Sequence, residues 1–246
     1  MRRFVQALSD PGTGWPADVG AALAELPVHY NVSKGGFAGV VLVQAGRWLV
    51  GSMSWGLVPS WEPAPSTHYS TQTARLERAP RSRLFRRAWA HRRCVVPMNG
   101  YYKWDREAQP RQPHYIQAAN GEPLLAAGLW SLWGEQAGTP FWSFALLTRP
   151  NPAIPAPLVP DGPCLLPVAR IADWLLGDPR RGQSLLLRMP QPRLESWPVS
   201  RRVADRRLDD YTLLEPVAAG EAFDRILLPP GADDDDGVDD ELEDDA

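Results

Sequence analysis

Apolar residues fall in short runs, more often spaced for a strand with one face buried than for the 3.6-residue helical period. Val40 to Gln44 and Arg47 to Trp55 alternate or concentrate β-branched and aromatic residues on either side of Ala45-Gly46, which predicts a hairpin. Further strand candidates are Cys94 to Met98, Tyr101 to Trp104, His114 to Gln117, Leu124 to Leu132, Phe141 to Thr148 and Cys164 to Leu166. Helical spacing is rarer. It predicts a short helix over residues 15 to 25, with Pro16 setting φ near its start and Asp18 in its first turn, and others over Ser82 to Ala90, around Val168 to Leu176 and over Gln183 to Leu187. Strands dominate, Pro and Gly turns join them, and no repeating βαβ unit or internal repeat is visible. The expected fold class is therefore α+β, mostly antiparallel β with flanking short helices. From Pro229 onward the sequence is Pro, Gly and acid with isolated small or apolar residues, too polar to bury a core. The organisation expected is one domain over residues 1–228 and a disordered acidic tail over 229–246.

Composition supports a globular chain. Of 246 residues, 44% are hydrophobic and 11 are Trp, which argues against general disorder. No apolar run approaches the roughly 18 residues of a membrane span, and the opening Met-Arg-Arg-Phe leads into no signal-peptide core, so no membrane partner and a cytoplasmic location are expected. Two cysteines, Cys94 and Cys164, each in an apolar run, fit a reduced compartment. His29, His68, His91 and His114 are scattered without metal-ligand spacing, so neither a metal nor any other cofactor is expected.

The net charge of -3 hides a division. Residues 233–246 hold ten acids and no base, which leaves the rest of the chain at about +7. That positive charge is almost all arginine, the better group for bidentate phosphate contact and base stacking; Lys34 and Lys103 are the only lysines. Eight arginines crowd residues 75–93, with Glu77 the one acid among them. In a helix over 82–90, Leu84, Phe85 and Ala88 would face the core while Arg83, Arg86 and Arg87 share an exposed side. The alternatives are a solvated surface helix and a phosphate-binding strip whose affinity falls with salt. Pro59 and Ser60 break the strand ending near Trp55 and place Trp61 at an edge, where an indole can either cap the core or stack on an unpaired base.

Several short motifs occur together in one order. Trp55-Gly-Leu-Val-Pro-Ser-Trp61, Ala74-Arg75-Leu76-Glu77, Arg93-Cys94-Val95-Val96-Pro97, Gly100-Tyr101-Tyr102-Lys103-Trp104, Gln112-Pro113-His114-Tyr115-Ile116, Ala127-Gly128-Leu129-Trp130 and Trp197-Pro198-Val199-Ser200, with Arg3-Phe4 and Tyr30-Asn31-Val32, resemble the SOS response-associated peptidase family. The resemblance implies a barrel-like, mostly β domain with a basic groove for single-stranded DNA. It also implies covalent capture of abasic sites, in which a cysteine following the initiator Met closes a thiazolidine on the sugar aldehyde. An Asn, a Glu and a His position the sugar and move protons.

At each of those chemical positions this chain carries something else. Arg2 stands at the cysteine, and a large second residue is expected to keep Met1 in place; Thr73 stands at the Asn, Lys103 at the Glu and Val159 at the His. The Arg two residues after that His is also absent, Asp161 standing there. Neither Cys94 nor Cys164 can replace the terminal cysteine, because the ring needs an amine and a thiol on one residue. By the same resemblance, DNA-contact candidates survive at Arg3, Trp61, Arg75, Arg83 and Thr148, to which the helix pattern adds Arg86. The expectation is a degenerate family member that binds single-stranded DNA noncovalently in the DNA damage response, as a monomer near the nucleoid.

Two alternatives stand beside it. Lys103, or the α-amine of Met1, could form a Schiff base with an abasic aldehyde, or the Trp-rich surface and acidic tail could serve a protein partner with no DNA binding. The tail itself has three candidate uses: covering the chain's own basic groove, recruiting a basic partner, or maintaining solubility.

Overall fold

The computed structural model describes residues 1–135 and 138–217; the expected acidic tail and the boundary at 228 lie outside them. Among the described residues twelve strands form two sheets. β1 (Arg3–Gln6), β2 (His29–Val32), β7 (Gly100–Asp105), β8 (Gln112–Ala118) and β12 (Leu194–Pro198) make one, in the order β12-β8-β7-β1-β2. The other holds β3 (Phe37–Gln44), β4 (Arg47–Trp55), β5 (Thr73–Arg75), β6 (Arg93–Met98), β9 (Leu124–Trp133), β10 (Phe141–Pro150) and β11 (Asp161–Pro163). Within it β10 pairs with β4, β4 with β3, β3 with β6, β6 with β9, and β9 with β10 again, so these five strands close on themselves. Closure removes the free edges that an open sheet of this length would present.

The alternation seen in the sequence is realised as two apolar faces of the closed strands. One face gathers Val40, Leu42, Trp55, Cys94, Val96, Trp130, Phe144 and Leu146 with Phe4, Tyr101 and Ile116 of the five-stranded sheet. The other, with Val41, Val95, Leu129 and Leu147, is covered by helices α1 (Ala17–Ala24), α2 (Arg86–His91), α3 (Ile171–Leu176) and α4 (Pro179–Arg188) through Leu23, Trp89, Trp174 and Leu186. A smaller cluster of Val5, Tyr102, Tyr115, Val199, Val203 and Leu213 backs the five-stranded sheet. The α+β class is as expected.

Two buried arginines tie helices to this frame. Arg93 donates to the carbonyls of Gly177 (2.6 Å) and Leu175 (3.4 Å) at the end of α3, with its guanidinium 5.4 Å from the Trp174 ring centroid. Arg149 does the same for α4, donating to Leu187 (2.9 Å) and Met189 (3.2 Å). A cation at a helix C-terminus satisfies carbonyls that have no partner within the helix and complements its dipole.

Several elements differ from the sequence reading. The hairpin at Ala45-Gly46 is present, both residues having positive φ (50° and 74°), as a tight turn between twisted strands requires. The strand expected at Cys164 to Leu166 lies instead at Asp161–Pro163. From Cys164 the chain bonds alternately to β10 (Cys164 N–H to Leu147, 2.8 Å) and β9 (Leu166 N–H to Leu125, 2.9 Å), so no single ladder forms. The helix expected from Ser82 begins only at Arg86, because residues 78–85 form successive turns such as Phe85 N–H to Ser82 (3.1 Å). Strands β1, β2, β5 and β12 were not legible, being three to five residues long and of mixed polarity.

The closed ring needs glycine at position 128, where β9 runs between β6 and β10: a Cβ there would lie 2.9 Å from the Ala145 carbonyl oxygen and 3.0 Å from Cys94 Sγ. Gly128→Ala is expected to lower stability by about 1–3 kcal/mol through overpacking. Chemical denaturation checks this; an unchanged midpoint would contradict it.

Candidate nucleic-acid interface

β10 assembles the site. β5 pairs with it in parallel, setting Thr73 opposite Leu146 and Arg75 opposite Thr148, while β11 pairs on it antiparallel, setting Asp161 opposite Pro150. Arg75 and Asp161 thereby meet, with Arg75 Nη1 donating to Asp161 Oδ1 at 2.7 Å. β7 delivers Lys103, whose Nζ donates to the Asp161 backbone carbonyl. β1 runs antiparallel to β7 with Arg3 opposite Tyr102, and this register carries the N-terminus alongside Lys103.

The two amines share a dry environment. Burial, and then the Lys103 charge, lower the Met1 α-amine from 8.0 to about 5. Lys103, 9% exposed, also sits below the usual lysine range, chiefly through burial and then through Arg106 and Arg75, with the Asp161 carboxylate opposing. The shift expected from neighbouring arginines is thus led by desolvation. The Tyr101 hydroxyl, fully buried and without a hydrogen-bond partner, lies near Gly162: a Cβ at that glycine would be 3.1 Å away.

A second group is exposed. Trp61 is 46% exposed, and the Arg83 guanidinium lies 5.0 Å from its ring centroid, with Tyr69 packed edge-on at 6.3 Å. Arg78, Arg81, Arg86 and Arg87 are exposed along the same stretch of chain. Arg83 precedes α2 instead of sharing its exposed side with Arg86 and Arg87. Two of the eight arginines leave the strip altogether: Arg93 is buried against α3, and Arg92 sits 5.0 Å over the Trp130 ring, 4.0 Å from Glu135.

The remaining candidates separate. Thr148 is buried behind Arg75 and does not reach the exposed face. Arg3 donates to Asn31 Oδ1 (3.1 Å) and to the Ala204 carbonyl, joining β1 to the 3-10 turn Arg201–Ala204, where the buried Asn31 also donates to Asp205 (3.0 Å) and Leu208 (2.8 Å). Arg2 is exposed, Thr73 is half-buried on β5, and Val159 is 48% exposed, with its carbonyl accepting from Asp161 N–H at 2.8 Å. Asp161 was not proposed as a site residue from the sequence, although it lies two residues after Val159 and is the acid that holds both Arg75 and Lys103. Among the described residues no group of three or more His, Cys, Asp or Glu could hold a metal, and no helix is long and apolar enough to cross a membrane.

A family model described as SOS response associated peptidase matches residues 7–206. The chain belongs to this family. Among similar proteins, the abasic site processing protein YoaM of Bacillus subtilis is 25% identical over 195 residues, 78% of this chain and 86% of YoaM. YedK of Escherichia coli, also named an abasic site processing protein, is 24% identical over 193 residues, 77% of this chain and 85% of YedK. A solved structure from Bacteroides thetaiotaomicron superposes with a TM-score of 0.69 at 20% identity, covering 87% of this chain and 100% of that one. A second, from Bordetella bronchiseptica, gives 0.65 at 24% identity, covering 81% and 100%. These two show the shared fold.

The bonding of Arg3 and Arg75 predicts different phenotypes. Arg3→Ala, which leaves Asn31 and the Ala204 carbonyl short of a donor, is expected to cost about 1–3 kcal/mol of stability, whereas Arg75→Ala, removing an exposed ion pair, costs under about 1 kcal/mol. Thermal or urea unfolding of the two variants checks this; equal losses would contradict it.

Proposed function

We propose that this chain binds single-stranded DNA at or near abasic positions, without forming the thiazolidine, and acts in handling damaged DNA. The observation that carries this reading is the exposed Arg83–Trp61 stack, continuous along the chain with exposed Arg75, Arg78, Arg81, Arg86 and Arg87. A planar cation on an indole presents a ready surface for an unpaired base, and the surrounding guanidinium groups can follow the phosphates. Contact falls to Trp61, Arg75, Arg83 and Arg86; Thr148 lies behind Arg75, and Arg3 is engaged elsewhere by Asn31 and the Ala204 carbonyl. YoaM and YedK are named abasic site processing proteins, which agrees with an abasic-site substrate class, and Arg2, Thr73, Lys103 and Val159 argue against the thiazolidine chemistry being retained here.

Fluorescence anisotropy with a labelled single-stranded oligonucleotide tests the reading. Trp61→Ala is expected to weaken binding about 5- to 150-fold, the value of one stacked base, with thermal stability nearly unchanged. Unaltered affinity in a folded variant would contradict the proposal.

One observation favours a second reading, in which an amine captures the abasic aldehyde. The Met1 α-amine and Lys103 lie together beside Asp161 with their proton affinities lowered. A neutral amine adds to an aldehyde and loses water to give an imine, which borohydride reduces to a stable amine. Because the Met1 amine is lowered to about 5, it is unprotonated above that pH. Trapped product is therefore expected to stay level from pH 8 to pH 6 and to fall below 5, whereas an amine near 8 would lose about 50-fold across that range. No trapped band at any pH would exclude the amine reading and leave noncovalent binding.

A further inference from the structure

Beside α4 lies a second basic site that the DNA-binding reading does not use. The 3-10 turn Val168–Arg170 and α4 enclose a cavity of about 610 Å³ lined by Pro167, Arg170, Arg181, Leu185, Arg188 and Met189, with Ser184 and Pro190 completing it. Three arginines stand around an apolar floor. Arg170 is engaged by Asp173 at 2.6 Å, while Arg181 and Arg188 are exposed and form no ion pair among the described residues. The cavity adjoins the arginine strip, since α4 packs on α2 through Trp89 Nε1–H donating to the Pro179 carbonyl (3.1 Å) and through Gly182, where a Cβ would lie 3.1 Å from the Trp89 ring.

The lining specifies an occupant that is acidic and also carries apolar side chains. Nucleic acid backbone would satisfy the guanidinium groups but leave Leu185, Met189, Pro167 and Pro190 without a match. The chain's own residues 233–246 fit both requirements: ten acids and no base surround Val238 and Leu242, the two larger apolar residues there, four apart. Fifteen residues lie between Val217 and Asp233, and the steps across them give a contour of up to about 53 Å. Val217 is itself fixed, its N–H donating to the Pro198 carbonyl (2.9 Å) at the end of β12, and β12 follows α4 in the chain by a few residues. Tethering of this kind replaces a bimolecular encounter with a high effective concentration, so weak contacts suffice.

We propose that the cavity lined by Arg170, Arg181 and Arg188 is the docking site for the acidic segment 233–246 of the same chain, with Val238 and Leu242 seated on its apolar floor. Docking there places a polyanion next to the arginine strip.

The test uses the full chain and no DNA, so its failure is distinct from failure of the DNA-binding reading. Asp240→Cys is labelled with a nitroxide; Cys94 and Cys164 are buried with thiols shifted upward, so the label goes to the new site. The result expected is paramagnetic broadening of the amide signals of residues 181–189 that is relieved at least fivefold by the double substitution Arg181→Ser and Arg188→Ser and by 1 M salt. Broadening confined to residues 75–87, broadening that persists in the double variant, or none at all would overturn the proposal.

Discussion

Strand β10 is the constraint on which the rest depends. Its backbone groups serve β9, β4, β5 and β11, closing the ring and bringing three segments distant in sequence to one place. β5 is three residues long, far too short to persist alone, and exists because β10 offers it a ladder. β11 is equally short and arrives on the same strand. The juxtaposition of Arg75 with Asp161, and through Asp161 with Lys103 and the N-terminus, follows from that backbone pairing.

Arginine does two kinds of work here, and burial separates them. Arg93 and Arg149 are buried and give their donors to helix-end carbonyls. Desolvating a guanidinium is costly, so it is tolerated where directed carbonyls replace water, though Arg93 Nη1 and Arg149 Nε remain without partners. Arg78, Arg81, Arg86 and Arg87 on the surface incur no such cost, and in the proposed function they are the groups offered to phosphates. Arg75 lies between these cases, its exposed pairing with Asp161 worth little and therefore exchangeable.

The sequence revealed what depends on local chemistry. The β3–β4 hairpin was readable because Ala45-Gly46 supplies positive φ, and α1 because Pro16 precedes an apolar helical stripe; the exposure of Trp61 also matches its expected edge position, although β4 already ends at Trp55, before Pro59-Ser60. Where partners lie far along the chain, nothing local announced the outcome. Arg3 sat in a motif associated with DNA contact, yet its guanidinium is held by Asn31 and the carbonyl of Ala204, 201 positions away. Asp161 carries no local signal of its role: its carboxylate holds Arg75 and its carbonyl holds Lys103, partners 86 and 58 positions away in the chain. The dry setting of the Met1 amine was likewise invisible, since it depends on the β1–β7 register and not on the residues around Met1.

The central claim is that exposed guanidinium groups and one indole bind an unpaired strand electrostatically. The most direct measurement is the affinity of the full chain for a labelled single-stranded oligonucleotide from about 50 to 300 mM salt. With three or four of the surrounding arginines on phosphates, the account predicts a log–log slope of about -2 to -3 that becomes shallower by close to one contact in Arg86→Ala. Weak binding with a flat salt dependence, unchanged by that substitution, would contradict it.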